Sequence, residues 1–174
     1  MKRYRRLAIA AVALTISAAL LRPQISSALV IRGDEFAYRG QTSGALRMYE
    51  RAIVVDRDNA SAVDRLAFTG AVSHRAALVR EAVSISSRYL AVHPADATIL
   101  NDRGLAYQIL RDYRSAERDF AKAGSASRDA RNFTFAGFAA IHARDMLGAR
   151  KFFHAALGID RSYVPALRGL ARLP

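Results

Sequence analysis

Residues 100–123 read LNDRGLAYQILRDYRSAERDFAKA. Small and apolar side chains recur at helical spacing on both sides of Arg111-Asp112: Leu100, Gly104 and Tyr107 before it, Tyr113, Ala116, Phe120 and Ala123 after it. Steps of three, four and seven place each set on one helix face. The stretch therefore predicts a helix, a short turn and a second helix. Gly104 stands mid-way along the first helix, where glycine costs roughly 1 kcal/mol of propensity. The cost is tolerable where a neighbouring helix must come close. Ala116 does the same job on the second helix, and Phe120 fills the space beside the two small residues.

The pattern recurs along the chain. Glycines stand at Gly33, Gly70, Gly104 and Gly137, at intervals of 37, 34 and 33 residues. Alanines at Ala45, Ala82, Ala116 and Ala149 keep the same three intervals, each twelve residues after its glycine. Two series sharing one irregular rhythm define a repeat. Four residues before each glycine stand Leu29, Leu66, Leu100 and Phe133; three after it, Phe36, Ser73, Tyr107 and Ala140. Four residues after each alanine stand Tyr49, Ser86, Phe120 and Phe153; seven after it, Ala52, Tyr89, Ala123 and Ala156. One helical hairpin cannot bury its apolar face alone, so such hairpins must stack.

These columns resemble the tetratricopeptide repeat (TPR) family over about residues 26–174. The third repeat matches best, the first and fourth well. The second is degenerate, with Ser73, Ser86 and Tyr89 in key columns and three extra residues near Asn59–Ala62. Arg32 and Arg103 stand where the family has Leu before the glycine, and only Pro94 occupies the column of its closing proline. The resemblance implies an all-α, right-handed solenoid of about four hairpins, a C-terminal capping helix, and a hydrophobic helix in front. Repeat boundaries fall at about 26–59, 60–96, 97–129 and 130–162, with the cap at 163–174. Helices are expected at 26–39 and 42–55, 60–74 and 79–92, 97–110 and 113–124, 129–143 and 146–158, and 162–172. In the cap, Leu167 and Leu170 should pack on the fourth repeat.

In this family the first helices line a concave groove that takes a peptide or a partner's helix. Carried over column by column, that implies Val30, Asp34, Ala37 and Tyr38 in the first repeat, and Asp64, Ala67, Ala71, His74 and Arg75 in the second. The third supplies Asn101, Leu105, Gln108 and Ile109, and the fourth Arg131, Thr134, Phe138, Ile141 and His142. Tyr38, His74, Arg75, Asn101, Gln108, Arg131, Phe138 and His142 are the expected partner-binding set. A well-known branch of the family clamps a carboxylate with Lys and Asn. Val30, Asp34, Thr98 and Asp102 occupy those columns here, so that clamp is absent.

Residues 1–25 read differently. MKRYRR is a basic head, Leu7–Leu21 carries no charge, and Arg22-Pro23 ends the run. That layout is an export signal or a single-pass anchor. Ser17-Ala18-Ala19 offers small residues for cleavage, and a fifteen-residue helix reaches about 22 Å, short of a roughly 30 Å hydrocarbon core. Against cleavage, Leu20 and Leu21 extend the run, and Arg22 and Tyr4 suit opposite interfaces. An anchor with its N-terminus in the cytoplasm is slightly favoured over a cleaved periplasmic form. Either way the basic head stays inside a bacterial-type inner membrane and the rest crosses it.

Composition narrows the function. The formal net charge is +12, but Lys2, Arg3, Arg5, Arg6 and Arg22 flank the leader. Without these five the balance is 22 basic to 15 acidic residues. Many bases adjoin an acid, as in Arg111-Asp112, Arg128-Asp129 and Arg144-Asp145, which reads as a solvated face and argues against nucleic acid. The absence of cysteine removes disulfides and thiolate chemistry. His74, His93, His142 and His154 keep no metal-ligand spacing, and neither a G-x-S-x-G elbow nor a glycine-rich phosphate loop occurs. Catalytic residues, metal and cofactor are therefore expected to be none. The expected function is a non-enzymatic protein-binding scaffold, exported or membrane-tethered. The alternative is a self-associating homo-oligomeric structural protein or an accessory subunit of an envelope assembly or secretion machine.

Overall fold

The computed structural model describes residues 2–73 and 75–174, with side chains from residue 19 onward. Among these residues the regular structure is entirely helical: α1 (Lys2–Tyr38), α2 (Thr42–Val55), α3 (Ala60–Val72), α4 (Ala76–Val92), α5 (Ala97–Ile109), α6 (Tyr113–Ser127), α7 (Ala130–His142), α8 (Met146–Ile159) and α9 (Val164–Ala171). The backbone divides into two compact units, residues 1–62 and 63–174, with the division inside α3.

In the first unit, the C-terminal half of α1 pairs with α2. A Cβ on Gly33 would run into the Tyr49 ring, and one on Gly44 into Phe36. The Tyr49 hydroxyl donates to Asp34 Oδ1 at 2.8 Å. Ser26, fully buried, donates to the Ala52 carbonyl at 2.9 Å and accepts from Asn59 Nδ2 at 2.7 Å. Asn59 Oδ1 in turn takes the Ala62 N–H at 3.0 Å, capping α3.

Here the structure corrects the sequence reading. Pro23 was expected to close a separate segment, yet it lies inside α1, which continues unbroken to Tyr38. Proline within a helix forfeits a backbone hydrogen bond. The turn after it is tied from outside, since Ser26 of α1 bonds to Ala52 of α2 and to Asn59. The apolar run Leu7–Leu21 falls almost wholly on residues whose side chains are not described. Among the described residues no helix is long and apolar enough to cross a membrane.

The second unit stacks its helices in sequence, α4 on α5, α5 on α6, α6 on α7, α7 on α8, with α9 closing on α7 and α8. The steric arrangement expected from the repeat is present. Gly104 lies under Phe120 and Gly137 under Phe153, so closely that a Cβ on either would overlap the ring. The degenerate second repeat has no such ring. Gly70 instead abuts the Ala82 Cβ and the Leu78 carbonyl, so the helices meet directly. Ser86, in the aromatic's column, is fully buried and its hydroxyl has no partner among the described residues.

Three Arg-Asp pairs that read as mixed surface charge stand at turns, the first of them the turn expected at Arg111-Asp112. Arg111, Arg128 and Arg144 adopt left-handed backbone, with φ of 61°, 52° and 63°. The aspartate after each caps the next helix: Asp112 accepts from Ser115 N–H, Asp129 from Arg131 N–H, Asp145 from Gly148 N–H. Gly40, φ 71°, is the corresponding turn of the first repeat. The cap needs a second correction. Leu170 packs on the fourth repeat, but Leu167 is 45% exposed. The contact is made by Ala166, fully buried, and Gly169 beneath Phe153. An eight-residue helix reaches this ring only through small side chains.

Candidate partner-binding groove

Two first-of-pair helices, α5 and α7, face the same opening across α6. Leu105 and Gln108 come from α5, Phe135, Phe138 and His142 from α7, and Phe120 of α6 supplies the floor. With Asn101 they line a cleft of about 400 Å³. Such a size with a mainly apolar lining and a few polar groups suits an inserted side chain or short peptide segment.

The aromatic surfaces are held by their neighbours. Phe138 meets Phe153 edge-on with centroids 5.2 Å apart, and Phe120 meets Phe135 at 5.5 Å. His142 stacks on Tyr113 at 4.8 Å. At the opposite end Asn101 donates to the Asn132 side-chain oxygen, and Asn132 donates to Ser127 Oγ at 3.2 Å. This chain fixes Asn101 while leaving its own carbonyl oxygen as an acceptor.

Arg103, in place of the expected leucine, turns away into a buried ion pair. Its Nε and Nη2 donate to the two Asp119 oxygens at 2.7 and 2.8 Å, and Nη1 donates to Ser87 Oγ at 3.0 Å. Its hydrogen bonds to the Asp119 carboxylate hold the guanidinium pKa above its ordinary value. The pair ties α4, α5 and α6 together behind the cleft.

Of the eight residues expected to bind a partner, Asn101, Gln108, Phe138 and His142 meet in this cleft. Arg75 is the exposed N-cap of α4. Arg131 is exposed in the first turn of α7, beside Asp129 at 3.3 Å. Tyr38, 94% exposed, ends α1 in the first unit, and His74 lies outside the described residues. Val30, Ala67, Ala71 and Thr134, also carried over as groove positions, are buried. The same columns supply Asn101, Leu105 and Phe138 to the cleft, so a column does not by itself decide between groove and core. The sequence reading missed Phe135, which stands two residues before Gly137. A signal existed: Ile31 and Phe68 occupy the same column and are likewise exposed, at 62% and 50%, out of phase with the core.

One neighbour of the cleft is electrostatically unusual. Asp102, next to Asn101 on α5, is 7% exposed, and its Oδ2 has no hydrogen-bond partner among the described residues. Its carboxyl is pushed up to about 8, chiefly by burial, then by the Asp64 carboxyl beside it and the charge of Asp96, with Arg65 opposing. Among the described residues no group of three or more metal-binding side chains occurs.

Paired helices, a small-residue seam under an aromatic, and a cleft lined by the first helices of two successive pairs define a tetratricopeptide repeat fold. Solved structures agree. A tetratricopeptide repeat protein from Parabacteroides merdae is similar with a TM-score of 0.68 at 21% identity, over 85% of this chain and 58% of that one. MamA from Desulfovibrio magneticus gives 0.63 at 21%, over 79% and 77%. PilF of Pseudomonas aeruginosa gives 0.64 at 20%, over 86% and 75%. The chain thus spans under two thirds of the Parabacteroides protein, and at these identities the likeness is one of fold. No protein-family model matches the sequence, and no curated protein does.

Proposed function

We propose that this protein is a non-enzymatic scaffold whose α5–α7 groove docks a segment of another protein. The observation that carries the reading is the preformed cleft. Phe135, 40% exposed, and Phe138 offer apolar surface, while Asn101, Gln108 and His142 offer polar contacts at its rim. Rigid aromatic anchors with convergent polar groups are what side-chain docking needs. In this reading the hairpins of the second unit stack with a right-handed turn, and their inner face carries the groove. A photo-crosslinking residue at Gln108 in the full chain tests it. A discrete partner adduct should form there and not from exposed Lys151 on α8, and Phe135→Ala should abolish it. Equal labelling from both positions, or from neither, overturns the reading.

In this reading the basic head and apolar run of residues 1–25 support a scaffold held at, or exported across, a bacterial-type inner membrane. Leu20, Leu21 and Ile25 on α1 are 67%, 54% and 49% exposed, as expected of a helix leaving an apolar environment. N-terminal sequencing of membrane and soluble fractions checks this. An intact Met1 in the membrane fraction supports an anchor, and a start near residue 20 supports a cleaved signal. The same exposed face favours a second reading, self-association through the first unit, which sedimentation of the full chain in detergent tests.

A further inference from the structure

We propose that the C-terminal end of the second unit, the outer face of α8 together with α9, docks on a membrane surface rich in acidic phospholipid. This end shares no residue with the groove or the leader. Residues 144–174 hold six basic residues against two acidic ones, whereas residues 26–143 hold 16 against 13. Most of the positive balance outside the leader is therefore gathered here. Neither α8 nor α9 contains an acidic residue. The two acids that flank α8 are engaged locally. Asp145 caps it through the Gly148 N–H at 2.8 Å, and Asp160 accepts from the Ser162 N–H and hydroxyl at 2.9 and 2.8 Å.

The bases are interleaved with apolar side chains. Leu147, Arg150, Lys151, His154 and Gly158 fall at helical steps of three and four along one face of α8, and all are exposed, Leu147 at 82%. On α9 the exposed face is Val164, Leu167, Arg168 and Ala171, opposite buried Ala166 and Gly169. The two helices are held side by side, with Gly169 against Phe153 and Arg150 Nη2 donating to the Pro174 oxygen at 2.7 Å. A ligand offering phosphate alone, such as a nucleic acid, would meet the bases and leave Leu147, Val164 and Leu167 in water. A lipid surface offers anionic headgroups to the bases and acyl chain beneath them to the apolar side chains, as for a helix lying in the interface. Each Lys or Arg brought to an acidic leaflet raises affinity about fivefold.

The chain has no cysteine, so a single introduced thiol can carry an environment-sensitive fluorophore. Gly158→Cys places it on the α8 face, where an added Cβ meets nothing within 4 Å, and exposed Ser125→Cys on α6 is the control. Each labelled full chain is mixed with vesicles of phosphatidylcholine alone or of phosphatidylcholine with phosphatidylglycerol, both doped with nitroxide-labelled lipid. Every sample keeps the leader, so the fluorophore reports local docking and not attachment as such. At position 158 emission should shift to the blue and be quenched in the acidic vesicles only. About 1 M salt, where screening reaches within about 3 Å, should weaken the response. Adding Lys151→Glu, Arg168→Glu and Arg172→Glu together should remove it while the circular dichroism stays that of the parent. No response at 158 in acidic vesicles overturns the proposal, as does an equal response in neutral vesicles, in the triple variant or at position 125. An equal response to polyglutamate or duplex DNA without lipid also overturns it, making the face a site for acidic polymers. So does a response that grows with protein concentration alone, which would make it a contact between copies.

Discussion

Gly137 lies beneath the ring of Phe153, sixteen residues later, with no room between them for a methyl group. The ring also covers Gly169 of the cap. One aromatic therefore joins α7, α8 and α9, and it does so only because two helices present bare backbone to it. A Cβ at position 137 must push the ring away or open the hairpin, and overpacking of this kind costs about 1–3 kcal/mol. Gly137→Ala should lower Tm in thermal unfolding. Gly158, in the last turn of α8, meets nothing within 4 Å of an added Cβ. Gly158→Ala should raise stability by up to about 1 kcal/mol, since only helix propensity changes. Equal effects at the two glycines would contradict the packing described.

The left-handed arginines make an opposite prediction. A side chain in that region is disfavoured by roughly 1–2 kcal/mol, which glycine avoids. Arg111 and Arg144 are exposed, and Gly40 fills the corresponding turn of the first repeat. Arg111→Gly and Arg144→Gly should each stabilise the protein by about 0.5 kcal/mol or more, after allowing for the added freedom of the unfolded chain. Chemical denaturation of the single and double variants measures this. Additive gains are expected, because the two turns are separate sites.

Arg103 and Asp119 are a test of what a buried ion pair does. Their side chains are 16% and 6% exposed, and every hydrogen bond of the Asp119 carboxylate that the structure shows comes from Arg103. Removing one member strands the other, which typically costs about 3–5 kcal/mol. Asp119→Leu or Arg103→Leu alone should be strongly destabilising, whereas the double variant should recover most of the loss. Denaturation midpoints of the three variants decide it. Equal damage from the single and double changes would mean that the pair is not the source of the stability.

The fold was legible because its decisive contacts are steric and periodic. Gly104 with Phe120, and Gly137 with Phe153, repeat at fixed offsets, and α2 starts and stops where its pattern does. What was not legible depends on distant partners. Nothing near Pro23 in sequence announces that Ser26 will be held by Ala52 and Asn59, so the helix passes through a residue that locally argues for its end. Arg111-Asp112 was legible as a turn from the repeat, but Arg128-Asp129 and Arg144-Asp145 read only as surface charge, because charge is visible in a sequence and backbone sign is not. Four of the eight groove residues gathered in the cleft, since helical columns predict a face. They do not settle each member of a column: Asn101 lines the cleft, whereas Val30 and Thr134, at the same offset from their glycines, are buried.

Asp102 gives the chain a pH dependence whose direction follows from burial. Its carboxyl titrates near 4 when exposed but is pushed up to about 8 in the fold by desolvation and by Asp64. Between those values the unfolded chain has lost a proton that the folded chain retains. Folding then binds a proton, so stability must fall as pH rises. The contribution of Asp102 is complete below about pH 4, declines through the neutral range, and is gone above about pH 8. Asparagine in its place has the same shape, carries no charge and donates to Asp64, so Asp102→Asn should remove the decline. The variant should match the parent protein near pH 4 and unfold at a higher temperature at pH 8. Asp64→Asn should act in the same direction but less, since burial, the larger cause, stays with Asp102. Melting curves from pH 4 to 9 on the three proteins would show the parent's stability descending and that of Asp102→Asn flatter. Parallel curves would mean that the carboxyl is solvated and ionised throughout, and that the Asp64–Asp102 contact is not closed in solution.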